Sequence, residues 1–314
     1  HEDVYTRRGL AKKEIEQWKE SLSDLDLALK LNDKYEDALR ARTEVNYTLE
    51  NYPAVIADVA VLQGLRKARP QELMYGGIAK YYTQSYADAI NLITQALEGI
   101  SGSAKAYYAR GNAYFESAEY EKCIADLNKA IEMGEADATA YLNRAKAKLN
   151  TKAFAAAVPD FDQAISKGKN SAEVFDLRGF AKLSLNQHDQ AIADFSAAVD
   201  KDAKYALAYL HRADALTAQE KYHDAVRDYT AANTNGIKDA PMHSKRAYAH
   251  LKLGQIEEAI SDCGLSIRIK ADYMPAFETR GYAYYQKKNY KQAIDDLRVF
   301  EKSGAETKGT FHAT

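Results

Sequence analysis

The strongest constraint on this chain is a period. Gly9, Thr43, Gly77, Gly111, Ala145, Gly179, Ala213, Ala247 and Gly281 stand 34 residues apart, with no insertion or deletion between them. Two residues after each comes Ala11, Val45, Ala79, Ala113, Ala147, Ala181, Ala215, Ala249 or Ala283. Nine residues after the small residue an aromatic stands in seven copies: Trp18, Tyr52, Tyr86, Tyr120, Phe154, Tyr222 and Tyr290. Thirteen after it every copy has an aliphatic, from Leu22 and Ile56 to Ile260 and Ile294. A chain that repeats at this interval folds as a stack of like units, because one unit cannot bury its apolar face alone. Nine units cover residues 2–35, 36–69, 70–103, 104–137, 138–171, 172–205, 206–239, 240–273 and 274–307, leaving 308–314 as a short tail.

Each unit reads as two helices. In the fourth, Ala104 to Glu116 carries Tyr107, Tyr108, Gly111 and Phe115 at helical spacing. A polar break at Ser117–Glu119 follows. The run from Tyr120 to Met133 then puts Cys123, Ile124, Leu127, Ala130 and Ile131 on one face, and Gly134 stops it. Pro53, Pro70, Pro241 and Pro275 fall in first helical turns, where the missing N–H costs little. Pro159 lies deeper and is expected to bend or shorten its helix.

Composition narrows the class. The 314 residues hold 43 basic and 45 acidic side chains, a net charge of −2, which does not suit a chain built to coat nucleic acid or an anionic membrane. No apolar run approaches the 18 residues that would suggest a membrane span. Two cysteines, Cys123 and Cys263, cannot make a disulfide framework and fall on core positions of second helices. Tyrosine dominates the aromatics, with 23 Tyr against 9 Phe and 1 Trp. The sequence opens His-Glu-Asp without a Met or a targeting segment, so a soluble chain of open compartment, cytoplasmic or periplasmic, is expected.

On these residues the chain resembles the tetratricopeptide repeat family. The resemblance covers residues 2–307 and implies an all-α fold, a right-handed α-α superhelix. Two departures stand out. Arg precedes the small residue where the family often has Leu: Arg8, Arg42, Arg110, Arg144, Arg178, Arg212, Arg246 and Arg280. The Pro that commonly closes a unit is absent throughout, from Asp33, Lys67 and Ser101 to Ala305. Eight copies also carry an Asp in the second helix: Asp24, Asp58, Asp126, Asp160, Asp194, Asp228, Asp262 and Asp296. The third unit lacks both, with Gly76 and Leu92 in their places. Their joint loss predicts an Arg–Asp fork bridging helices.

Residues arranged for catalysis are missing. There is no phosphate-binding glycine loop, nucleophile elbow, His-Glu-x-x-His or Cys-x-x-Cys. His243 and His250 share a helix seven residues apart, about 10.5 Å along its axis, too far for one metal. His243 occupies a core aromatic position and reads as a packed, hydrogen-bonded histidine. No catalytic residue, metal or cofactor is expected, and the chain is not expected to be an enzyme.

The family resemblance implies that positions five, nine and twelve of each first helix line a concave face, and i, i+4, i+7 spacing does form one stripe. Two aromatic concentrations lie there: Tyr81, Tyr108 and Phe115 with neighbouring Tyr82, and Tyr248, Tyr282 and Tyr285. Such rings suit peptide recognition. Asn112 is expected to face the same groove, along with the polar stripe residues Lys146, Asp176 and Asp214. The family's carboxylate clamp for chaperone tails is not matched: Asn112 and Asn143 fit its Asn positions, but Tyr108, Glu173 and Leu177 stand where it needs cations.

The expected function is therefore a scaffold or adaptor that holds a peptide or partner helix in its groove. The alternative is the non-catalytic, substrate-selecting or assembly region of a larger enzyme or secretion machine. Nucleic-acid binding has only Lys146 and the Arg66-Lys67-Arg69 cluster in its favour, and no nucleic-acid partner is expected. At the C-terminal end, Leu297 and Phe300 are expected to lie open, as in end-to-end docking or a larger complex.

Overall fold

The computed structural model describes residues 1–100 and 103–303, which hold eighteen α-helices and no strand. They run α1 Glu2–Glu14, α2 Trp18–Leu31, α3 Glu36–Thr48, α4 Tyr52–Gly64, α5 Pro70–Tyr82, α6 Tyr86–Gly99, α7 Ala104–Glu116, α8 Tyr120–Glu132 and α9 Ala138–Asn150. The series continues with α10 Phe154–Ser166, α11 Ala172–Ser184, α12 His188–Lys201, α13 Ala206–Ala218, α14 Tyr222–Thr234, α15 Ala240–Lys252, α16 Ile256–Ile269, α17 Met274–Gln286 and α18 Tyr290–Lys302. The expected tail and the closing positions Ser101 and Ala305 lie outside the described residues. The chain divides into two compact units, His1–Lys152 and Ala153 onward.

Within each unit the helices pack in hairpins, and the first helices of successive hairpins touch, as α3 does α5 and α5 does α7. The small residue of each period makes the hairpin close. At Gly77 a Cβ would lie 2.5 Å from Ile93 Cγ1 and 3.0 Å from the Ile93 backbone nitrogen, so α5 and α6 meet almost backbone to backbone. Alanines such as Ala89, Ala113, Ala147, Ala215 and Ala249 are fully buried between helices.

The expected Arg–Asp fork is present and reaches further than the sequence implied. Arg212 on α13 donates from Nε to Asp228 Oδ2 (2.6 Å) and from Nη2 to Asp228 Oδ1 (2.9 Å), on α14 of its own hairpin. Its Nη1 donates to Ser196 Oγ on α12, in the hairpin before (3.1 Å). Arg42 does the same with Asp58 and Asp26, Arg178 with Asp194 and Asp162, Arg110 with Asp126 and Thr94. Each such guanidinium therefore clasps three helices. An aromatic three residues earlier often lies against it, as Tyr107 does Arg110 and Tyr209 does Arg212, at 5.8 and 5.5 Å. Arg280 keeps its fork to Asp296, but Gly264 stands where the preceding hairpin would offer a side-chain acceptor. Beside Arg8 and Lys12, the Asp24 carboxyl is pulled down to about 2, first by its Arg8 hydrogen bonds.

The turns follow two rules. Within hairpins, Glu16, Glu50, Gln84, Ala118, Lys152, Asn186, Glu220, Gly254 and Lys288 all have positive φ, and only Gly254 is a glycine. Between hairpins, a 13-residue second helix ends before a left-handed Arg66, Gly134, Gly168 or Gly236. A 14-residue one ends on an extended Asn32, Ile100, Asp202 or Lys270. These two endings replace the missing closing prolines. Two expectations change. Helix α10 holds Pro159 yet keeps 13 residues, so the proline does not shorten it. Phe300 is buried rather than open, and Leu297 packs towards Gly281; Ile294 and Val299 are the exposed apolar residues of α18.

Candidate functional site

In residues 1–152, the face formed by α3, α5 and α7 carries a continuous set of tyrosines. Tyr47 stacks on Tyr75 (ring centroids 4.2 Å) and Tyr52 on Tyr82 (4.7 Å). Tyr81 meets Tyr82 edge-on at 5.1 Å and Tyr108 at 6.5 Å. Helical spacing brings them together: Tyr47 ends α3, Tyr81 and Tyr82 end α5, and Tyr108 lies in the first half of α7. Between them opens a cavity of about 260 Å³, lined by Tyr47, Thr48, Glu50, Tyr52, Ile78, Tyr82, Lys105, Tyr108, Ala109 and Glu135. Tyr82 is 52% exposed at its mouth.

Burial raises the phenols' proton affinity. Tyr52 is pushed up to about 12 by burial and the nearby Glu50 carboxylate. Tyr108 is raised by burial and by Asp137, whose Oδ2 accepts the Tyr108 hydroxyl at 3.1 Å. The rings are thus neutral at any physiological pH. Asp137 is held in addition as the N-cap of α9, accepting the Ala140 N–H at 2.7 Å.

The sequence-predicted residues fare unequally. Tyr81, Tyr82 and Tyr108 come together. Phe115 lies near them on α7 but packs against Tyr120 (6.1 Å) in the hairpin core. Asn112 is 1% exposed, so the expected contact with a partner does not hold for it as it stands. Its Oδ1 accepts from Asn143 Nδ2 at 2.8 Å, while its own Nδ2 has no partner among the described residues. Lys146 is half-buried on α9. Two polar candidates are likewise drawn inward. Asp176 is 1% exposed and bonded to His211 Nδ1 at 2.8 Å. Asp214 accepts from Lys245 Nζ (2.6 Å) and from the hydroxyl of the fully buried Tyr229 (2.7 Å). In the unit from Ala153 onward, Tyr248 packs edge-on to Tyr222 (6.3 Å) with the Lys252 ammonium over its ring. Tyr282 and Tyr285 are 46% and 62% exposed, and Tyr285 leans on Tyr290.

Sequence reasoning left Tyr52, Glu50 and Glu135 out of the site. Tyr52 holds the periodic aromatic position that reads as core, and both glutamates sit in or beside turns. The remaining titratable groups are structural. His243 is buried beside Asp262, with 3.5 Å between Nδ1 and Oδ1, and burial lowers its proton affinity. It is packed as expected, but Nδ1 makes no hydrogen bond among the described residues. Burial pushes the Cys123 thiol up to about 12 and raises Cys263 further, so neither is a ready thiolate. Among the described residues no group of three or more His, Cys, Asp or Glu could hold a metal ion. No helix among them is long and apolar enough to cross a membrane.

Two tetratricopeptide repeat family models match the sequence, one over residues 104–136 and 240–273 and the other over 178–240. With the tandem hairpins in place, the assignment follows. The chain carries tetratricopeptide repeats. Its solved structural neighbours include YrrB, described as a tetratricopeptide-repeat protein with an unusual peptide-binding site, at 21% identity and a TM-score of 0.52 over 59% of this chain and 95% of that one. Another is MamA from Desulfovibrio magneticus RS-1, residue 41 to its end, at 18% identity and 0.51 over 54% of this chain and 97% of the other. These likenesses show the fold. No curated protein matches the sequence. As a tetratricopeptide-repeat protein the chain is a scaffold for protein interactions.

Proposed function

We propose that this tetratricopeptide-repeat protein, with its nine repeats over residues 2–307, binds a peptide segment of a protein partner on the tyrosine face of α3, α5 and α7. The observation that carries this reading is the open cavity between Tyr47, Tyr52, Tyr82 and Tyr108, which three consecutive repeats build together. Tyrosine offers a large amphipathic contact with little rotamer entropy to lose, so a shallow aromatic cavity favours an ordered guest. Binding here is burial of side chains against rings, with no bond made or broken. The exposed Tyr282 and Tyr285 supply a weaker second contact of the same kind.

The test is capture from lysate of the source cell, comparing the intact chain with a Tyr82→Ala, Tyr108→Ala variant of equal helicity and melting temperature. Partners held by the intact chain should be lost from the variant. Partners held equally by both would overturn the assignment of binding to this face.

A further inference from the structure

The same cavity selects for charge. Glu50 closes the α3–α4 turn on one side and Glu135 follows α8 on the other, and both residues line the tyrosine cavity. Among the described residues neither has a side-chain hydrogen bond or an ion pair within 4 Å, although Lys105 lines the same cavity. Several other carboxylates beside buried rings are committed: Asp214 to Lys245, Asp176 to His211, Asp137 to Tyr108 and the α9 N-terminus. Glu50 and Glu135 are not. Their negative charge falls on the rings themselves, since both raise the proton affinity of Tyr82 after burial has done so. A ring face is the negative end of the aromatic quadrupole, so two carboxylates and four tyrosines add in one direction. Elsewhere the chain uses this chemistry on itself, with Arg178 over Phe175 at 5.5 Å and Arg280 over Phe277 at 5.4 Å.

We infer that the cavity between Tyr47, Tyr52, Tyr82 and Tyr108 is a cation site, taking one lysine or arginine side chain of the partner peptide against its rings, with Glu50 and Glu135 as counter-charges. This rests on the peptide-binding reading and names its chemistry. Phenol oxygens accept hydrogen bonds from an ammonium or guanidinium, and the rings cover its methylene stem. An acidic side chain would meet two like charges, and a neutral one would gain the rings but not the field. The partner segment is therefore basic at one position.

The experiment uses the full chain labelled with 3-fluorotyrosine and four capped pentapeptides, Gly-Gly-Xaa-Gly-Gly, with arginine, lysine, norleucine or glutamate at the centre. Fluorine NMR titration reads the site, and the Tyr82→Phe protein assigns the Tyr82 resonance. The arginine and lysine peptides should shift Tyr82 with dissociation constants about tenfold below that of norleucine, the ratio expected for a partly desolvated cation on rings. The glutamate peptide should give no shift. In a Glu50→Gln, Glu135→Gln protein the advantage of the cation should fall towards one; Glu50 is exposed, Glu135 is half-buried, and among the described residues neither carboxylate holds a side-chain bond that the fold would lose. In a Tyr82→Ala protein, read instead at the Tyr108 resonance that a Tyr108→Phe protein assigns, cation binding should also be lost, which diffuse attraction to acidic residues would not produce. Equal binding of norleucine and arginine, tighter binding of glutamate, retention in Tyr82→Ala, or no shift with any peptide overturns the cation site. If Tyr82→Ala, Tyr108→Ala still loses its lysate partners in that event, the peptide-binding face stands and only its charge selectivity falls.

Discussion

The arginine that precedes the small residue in eight of the nine units shows how one side chain can organise three helices. A buried carboxylate is costly without its partner, whereas removing both members together costs much less. Asp228 tests this, because it is buried and its two oxygens are taken by Arg212. Changing Asp228→Leu alone should lower unfolding stability by about 3 kcal/mol, since it strands the Arg212 charge against a new apolar neighbour. The double change Arg212→Met, Asp228→Leu should recover at least about half of that loss, measured as a double-mutant cycle by urea denaturation. Equal losses for single and double variants would show that the aspartate side chain matters by itself. The sequence announced this pair through a shared absence, Gly76 with Leu92 in one unit. It did not announce the third contact, from Arg42 to Asp26 or from Arg178 to Asp162, because the acceptors at that position differ in kind: Asp26, Thr94, Asn128, Asp162, Ser196 and Thr230. A position that conserves only the ability to accept a hydrogen bond carries no visible pattern.

At the scale of the helix and its turn, the period in the letters became a period in the backbone. The hairpin turns put a residue into the left-handed region every 34 residues, and apart from Gly254 those residues carry a Cβ. That conformation costs a non-glycine residue about 1 kcal/mol, part of which glycine returns by its greater freedom when unfolded. Ala118 has φ 57° at an exposed turn and no side-chain bond to lose. Ala118→Gly should therefore stabilise the protein by about 0.5 kcal/mol, seen as a higher urea midpoint with unchanged slope; a lower midpoint would mean the turn is not strained. Helix positions and hairpin pairing were legible because they depend on spacing alone. The cavity was only half legible. Its ring from α5 and α7 followed from the stripe, but Tyr52, Glu50 and Glu135 enter it from helix starts and turns, where direction is set by backbone angles rather than by period.

Across the whole molecule the repeats are alike but not equal. Within each unit the helix contacts among the described residues all join helices one or two places apart in the chain, so stability is close to a sum of local terms, and a weak interface opens without waiting for the rest. The third repeat is that interface. It has no clasp, because Val59 Cγ1 would lie 2.9 Å from a Cβ at position 76 and leaves no room for an arginine stem. A cavity of about 240 Å³ remains beside Ile56, Val59, Ala60, Gly76 and Leu92. Hydrogen exchange should find core amides of α5 and α6 opening about tenfold faster than those of α7 and α8, the ratio that about 1.4 kcal/mol of lost interaction gives; uniform protection across the four helices would refute the comparison. The tyrosine cavity spans this loose interface, since it draws on α3, α5 and α7 together.

The reach of the clasp has a bearing on synthesis. Arg42 is sixteen residues from Asp26 and sixteen from Asp58, so it stands midway in a window shorter than one repeat. When such an arginine leaves the ribosome, its backward acceptor already sits in a finished hairpin, and its forward acceptor arrives within a few seconds at ordinary elongation rates. Each join that such a clasp makes can thus form in the order in which it is translated, with its arginine waiting on no distant segment. The third repeat is where that relay skips a beat.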